Sequence, residues 1–179
     1  DSVYAELNKY QISVKSPRYI AKDVTFYDYY YFKKPLKGFI KENVLANVTP
    51  KKATYPRFNS YDAQLELKNI SKGVDYIGGF SLNGRKVIGR GNNNTDAIII
   101  FTRNGKPFLK MAAKTFIIEQ EKIVSQLASA TFYLDKDSIF HPGVAFKFFL
   151  NKRKVSLIRD NKGIKLAPYT DTYHKVDMD

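Results

Sequence analysis

A ladder of turn signals between Val74 and Arg159 limits most tightly what this chain can fold into. Asn83-Gly84, Gly91 to Asn94, Asn104-Gly105, Asp135 to Asp137, His141 to Gly143 and Asn151 to Arg153 cut the stretch into short apolar runs. Asn-Gly favours a type I′ hairpin turn, whose two central residues need φ > 0. Asn104-Gly105 therefore predicts a hairpin between Ala97 to Arg103 and Pro107 to Ala113. The first arm, Ala-Ile-Ile-Ile-Phe-Thr-Arg, is β-branched and almost wholly apolar, which predicts burial on both faces. The second arm continues to Ile118 with a two-residue period. Phe108, Lys110, Ala112, Lys114 and Phe116 share one face, and Leu109, Met111, Ala113, Thr115 and Ile117 share the other. The second set is the more apolar, so it is assigned to the core.

The later runs repeat this grammar. Ala128, Ala130, Phe132 and Leu134 alternate with Ser129, Thr131 and Tyr133, while Val144, Phe146 and Phe148 alternate with Ala145, Lys147 and Phe149. Several strands about ten residues apart predict an all-β, mainly antiparallel fold: a sandwich, a jelly-roll-like sheet or an open barrel. The expected core is Ile98, Ile100, Phe101, Leu109, Met111, Ile117, Phe132, Leu134, Phe146, Phe148, Val155 and Leu157. At most one short helix is expected, over residues 1–10, where Ser2 is a cap and Val3, Tyr4 and Leu7 have helical spacing. Alone, such a segment is too short to be stable.

Proline placement divides the chain. Between Thr49 and Tyr61, Pro50, Pro56, Asn59, Ser60 and several basic residues are loop signals, and proline forbids central strand pairing at its own positions. The expected organisation is a small aromatic-rich β piece over 1–48, a loop over 49–61, a main antiparallel domain over 62–168 and a tail over 169–179. The polar composition of that tail predicts poor order. Beginning on Asp1 and stopping at Asp179, the chain reads as a piece of a longer protein.

The formal charge of +13 admits nucleic acid, an anionic membrane surface or acidic glycans as partners. The basic residues are spread over three clusters: Lys33, Lys34, Lys37 and Lys41; Lys51, Lys52 and Arg57; Lys152, Arg153 and Lys154. Dispersed lysines of this kind serve solubility and guard strand edges. No apolar run is long enough to span a bilayer, and no signal peptide is evident.

The usual catalytic patterns do not occur. Zero cysteines exclude disulfides, thiolate metal sites and cysteine nucleophiles. The two histidines, His141 in a turn and His174 in the tail, have no carboxylate spacing that makes a metal site. The Gly-Arg-Lys-Val-Ile-Gly-Arg-Gly run over 84–91 lacks a following helix to receive a phosphate, so its glycines read as turn punctuation. Acids come in pairs, Asp135 with Asp137, Glu119 with Glu121 and Asp171 with Asp177. A glycosidase needs two carboxylates across one bond, yet the first two pairs fall in expected solvated turns. Asn47, Asn69 and Asn93 match the glycosylation sequon, which such a composition produces by chance. No cofactor and no metal is expected, and the chain reads as non-enzymatic.

One constellation suggests a binding surface. Tyr27, Tyr29 and Tyr31 alternate beside Lys33 and Lys34. Exposed rings there would stack sugars or bases while the lysines hold anionic groups. The competing reading is core packing plus cross-strand ring pairs. An RNA-reading sheet would want a βαββαβ order, and helices are almost missing.

Five phrases occur together: Phe26 to Lys33, Ala53 to Phe58, Val74 to Phe80, Asp137 to Pro142 and Asp171 to His174. They resemble segments of very large β-rich cell-envelope proteins of Bacteroidota. That resemblance implies a piece of a long exported protein, periplasmic or surface-exposed, and supplies no catalytic residues. A looser similarity is to the β-jelly-roll modules of lipopolysaccharide transport, as fold analogy alone. The expected function is a binding or assembly module contacting a partner chain, a neighbouring domain or an anionic glycan through a sheet face or edge. The alternatives are a glycan-active hydrolase and a basic nucleic-acid-binding β domain.

Overall fold

The computed structural model describes residues 3–12, 15–43, 49, 55–84 and 86–158, and the main-chain course of 169–171 and 176–178. No helix occurs among them. The strands are β1 (Tyr4–Ile12), β2 (Arg18–Tyr27), β3 (Leu36–Asn43), β4 (Arg57–Ser60), β5 (Leu65–Ser71), β6 (Val74–Asn83), β7 (Lys86–Arg90) and β8 (Ala97–Arg103). They continue as β9 (Lys106–Ala113), β10 (Thr115–Ile118), β11 (Lys122–Tyr133), β12 (Ser138–Phe149) and β13 (Lys154–Ile158), with β14 (Tyr169–Asp171) and β15 (Val176–Met178) as a separate pair. All ladders are antiparallel, and thirteen strands form one sheet. The all-β, antiparallel expectation holds.

The helical reading of residues 1–10 is replaced by a strand. Tyr4 to Ile12 pairs along β2 from Tyr4↔Tyr27 to Ile12↔Tyr19. A segment too short to hold a helix unaided gains an entire ladder of hydrogen bonds there. β4 pairs with β3 on one side and β6 on the other, so β1–β3 and β6–β13 belong to the same sheet. Asp160 to Gly163, whose composition predicts a further turn, lie outside the described residues.

Several strands are halves of longer ones. β7 and β8 both pair along one edge of β6, at 79–83 and 74–77 respectively. β10 and β9 likewise share one edge of β11. The chain is thus a meander of long strands interrupted at a common level. The loop between β7 and β8 is held shut locally: Asn92 Oδ1 accepts from Asn94 N (2.8 Å) and Thr95 N (2.7 Å), and Gly91 N donates to Lys114 O (3.1 Å). Lys114 Nζ, 2.8 Å from Asp96 Oδ1, is the partner of an otherwise unsatisfied buried oxygen.

At this level the sheet folds over onto itself. Phe101 pairs with Val74 at one end of β6, whereas the row of Phe148 meets β6 at Leu82, the other end. Their rings nevertheless stand 5.0 Å apart at 83°, and Phe101 lies 6.2 Å from Phe146. In a flat sheet the three ladders between β8 and β12 alone would hold them at least about 14 Å apart. The two half-sheets therefore face each other, with the core between them. Arg153 joins their lips by donating from its guanidinium to Lys72 O (3.2 Å).

Small residues make the fold line possible. Along it, Leu7, Val24, Gly38 and Ser60 are successive ladder partners, as are Phe80, Gly89 and Phe116, and then Ser125, Phe146 and Leu157. Gly38 leaves room for the Phe58 ring, which stacks on Phe26 at 4.3 Å. Gly89 does the same for Tyr76, whose ring would lie 2.6 Å from an added Cβ. Tyr76 is fully buried and donates its hydroxyl to Gly79 O (2.6 Å).

Crossing the line shifts the inward set by one residue. Leu109, Met111 and Ala113 point inward in β9, but Phe116 and Ile118 do so in β10. In β11 the set moves from Ile123 and Ser125 to Ala128 and Ala130, and in β2 from Ala21 to Val24 and Phe26. One extra residue at a bend exchanges the faces, as a bulge does. This corrects the core assignment of Thr115 and Ile117. Other expected core residues also differ. Ile98 and Ile100 are only half-buried and flank Ile99, so β8 is buried on one face, not two. Leu134 is exposed, while Phe132, Val155 and Leu157 pack partly covered against the core. Phe101, Leu109, Met111, Phe146 and Phe148 are core residues as expected.

Candidate binding edges and an outer aromatic strip

The strip begins with the strand pairing of Tyr4 and Tyr27. Directly opposed residues share a face, and their rings stack at 4.5 Å with 11° between planes. Tyr29 lies 6.3 Å from Tyr27 and is 63% exposed. The Tyr27 hydroxyl donates to Glu6 Oε2 (3.0 Å); that hydrogen bond, then desolvation and the Glu6 charge, raise its pKa. On the neighbouring rung, Lys37 Nζ donates to Thr25 Oγ1 (2.6 Å). The strip thus offers stacked phenols beside one carboxylate and one ammonium.

The five candidate residues divide. Asp28 is buried and turns the chain: its Oδ1 accepts from Tyr30 N (3.1 Å), and its carbonyl accepts from Phe32 N (2.9 Å). That turn carries Tyr31 away from Tyr27 and Tyr29. Tyr31 packs inward, 5.9 Å from Phe80 and 6.3 Å from Phe32, and burial raises its pKa. Lys33 and Lys34 are exposed past the turn. Helical spacing over residues 1–10 hides Tyr4 as a member of this strip. The alternation of Tyr4 and Glu6 with Ala5 and Leu7 was the available signal.

The sheet also has free margins. Among the described residues, β1 pairs with β2 alone and β13 with β12 alone, at the two ends of the main path, and β5, off that path, pairs with β6 alone. Among those residues, the outer edges of β1 and β13 each carry a row of backbone N–H and C=O groups with no strand beside it. One inward apolar row crosses all ten strands of the main path: Tyr10–Ala21–Ile40–Phe58–Leu82–Val87–Ile118–Ile123–Phe148–Val155. Its middle is buried, but at the β1 end Tyr10 is 66% and Ile12 64% exposed. Tyr19, the partner of Ile12, packs partly covered, 6.5 Å from Tyr10.

Glu119 is bound to Lys122 at 3.2 Å, and Asp135 and Asp137 lie exposed between β11 and β12. The side chains of Asp171 and Asp177, together with His174, Asn47, Lys51 and Lys52, lie outside the described residues. His141 is buried, and its Nδ1 accepts from Gly143 N (3.2 Å). No cluster of three metal-ligating side chains occurs among the described residues. A cleft of about 270 Å3 opens at the lips, lined in part by Tyr30, Leu67, Lys68, Glu119 and Gln120. Lys68 is already bound to Asp75 and Glu66 there. No helix among the described residues is long and apolar enough to cross a membrane. Comparison with family models, curated proteins and solved structures finds no match to this chain.

Proposed function

We propose that this chain is a non-enzymatic assembly module of a larger bacterial cell-envelope protein, periplasmic or surface-exposed, and that it contacts a neighbouring polypeptide through an open sheet edge. The observation that carries the reading is the β1 margin. It combines an unpaired backbone row with Tyr10 and Ile12 exposed on its inward face. An incoming strand would complete the ladder and cover those side chains in one step. The test is a photo-reactive phenylalanine analogue at position 10 in the intact protein in its bacterial host. A polypeptide adduct at position 10, absent from the exposed position 133 at the end of β11, supports the reading. Glycan hydrolysis by the purified chain would overturn it.

A second reading follows from the outer strip. Tyr4, Tyr27 and Tyr29, with Glu6 and Lys37 alongside, match what a sugar ring needs: apolar faces to stack on and polar groups at the rim. Glycan binding abolished by Tyr27→Ala but retained in Tyr10→Ala would favour the strip over the edge.

A further inference from the structure

We propose that the free margins of β1 and β13 are complementary to each other, so that β13 of one copy adds antiparallel to β1 of another and copies join head to tail. This rests on the edge reading above and names the partner it leaves open.

Strand direction permits the union. Neighbours alternate in direction along the main path of ten strands, so β1 and β13 run oppositely. Setting the β13 margin against the β1 margin therefore extends the antiparallel order without a break.

Level also agrees. The apolar row that starts at Tyr10 finishes at Val155. The fold-line row starts at Leu7 and finishes at Leu157. Joining copies would set Tyr10 against Val155 and Leu7 against Leu157, apolar on apolar at both levels. The step is three residues on β1 and two on β13. The sheet already absorbs the same mismatch where β2, which takes three residues from Ala21 to Val24, meets the two-residue step of β3 from Gly38 to Ile40.

The competing self-association pairs β1 with β1 about a two-fold axis. Antiparallel two-fold pairing reverses the strand ends, so it sets each half-sheet against the opposite half of its neighbour. At most one of the two rows could then continue, the one through which the axis passes. Only the head-to-tail union extends both rows, and it does not close by itself, so it builds chains of copies.

The cysteine-free sequence makes the test direct. Tyr10→Cys and Val155→Cys chains, one carrying a size tag, are mixed under mild oxidation. Opposed residues of a ladder stand about 4.5–5.5 Å apart at Cα, within disulfide range. The expected result is a mixed disulfide that outpaces both homodisulfides, repeated with Leu7→Cys and Leu157→Cys. A chain carrying both Tyr10→Cys and Val155→Cys should give a ladder of covalent oligomers. Faster homodisulfide formation by Tyr10→Cys would overturn the proposal in favour of a two-fold edge pair. So would cross-linking no faster than in an exposed Tyr133→Cys control. Adducts from position 10 to a different polypeptide would then preserve the edge reading while this proposal fails.

Discussion

The two ends of the molecule use the same pattern and reach opposite results. From β6 to β12, each inward residue finds the other half-sheet across from it, and Phe101, Phe116, Phe146 and Phe148 are buried together. At β1 the inward residues are as apolar, yet Tyr10 and Ile12 remain mostly exposed. Alternation decides which way a side chain points. Burial depends on a second surface standing opposite, and β1 lies beyond the margin of that surface.

The largest effect expected from this contrast is at the centre. Phe146→Ala removes a ring that touches both Phe101 and Phe116. Deleting it should cost about 3–5 kcal/mol in urea unfolding. A loss below about 1 kcal/mol would mean that the half-sheets do not press together there.

Tyr76 tests the fold line, with a smaller effect. Its buried hydroxyl donates to Gly79 O, so Tyr76→Phe removes that hydrogen bond at a cost of about 0.5–1.5 kcal/mol. Burial also raises its pKa above the ordinary 10.0. Above pH 10 the unfolded chain loses this proton while the folded chain keeps it. Stability is therefore level below pH 10 and falls as pH rises beyond it, by about 1.4 kcal/mol per pH unit. Tyr76→Phe should lessen that alkaline slope; an unchanged slope would show that the phenol ionises freely in the folded state.

The smallest effect belongs to the margin. Ile12→Ser should alter the stability of the isolated chain by no more than about 0.5 kcal/mol, since water already reaches that side chain. A larger loss would show the β1 end to be covered in the same way as the centre.

Much of this was legible in the sequence. Asn104-Gly105 places the β8–β9 hairpin, with both residues at positive φ, and the strand period yields Leu109, Met111, Phe146 and Phe148 as core. The one-residue slip at Lys114 was not legible. Period-2 reasoning runs through a bend without registering the extra residue, so it selects Ile117 where Phe116 is buried. The site was less legible still. Tyr27, Tyr29 and Tyr31 share a parity, but the turn at Asp28 ends the strand between the first and the others, and Tyr31 leaves their surface. The facing of the two half-sheets depends on residues far apart in the chain, such as Lys72 and Arg153, for which local pattern carries no signal.

The order of the strands also has a kinetic side. Along most of this sheet each strand pairs with its neighbour in sequence, so the chain searches little for its partners. Closing the halves is different, because Phe101 must find Phe148 and Arg153 must find Lys72. Loop-closure entropy for that encounter falls due before its contacts form. Until closure, both halves would hold their phenylalanine faces toward water as an open, sticky ribbon. The Asn104-Gly105 hairpin, as local as any connection in the sheet, would serve as a nucleus, and the clasp at the lips would form last.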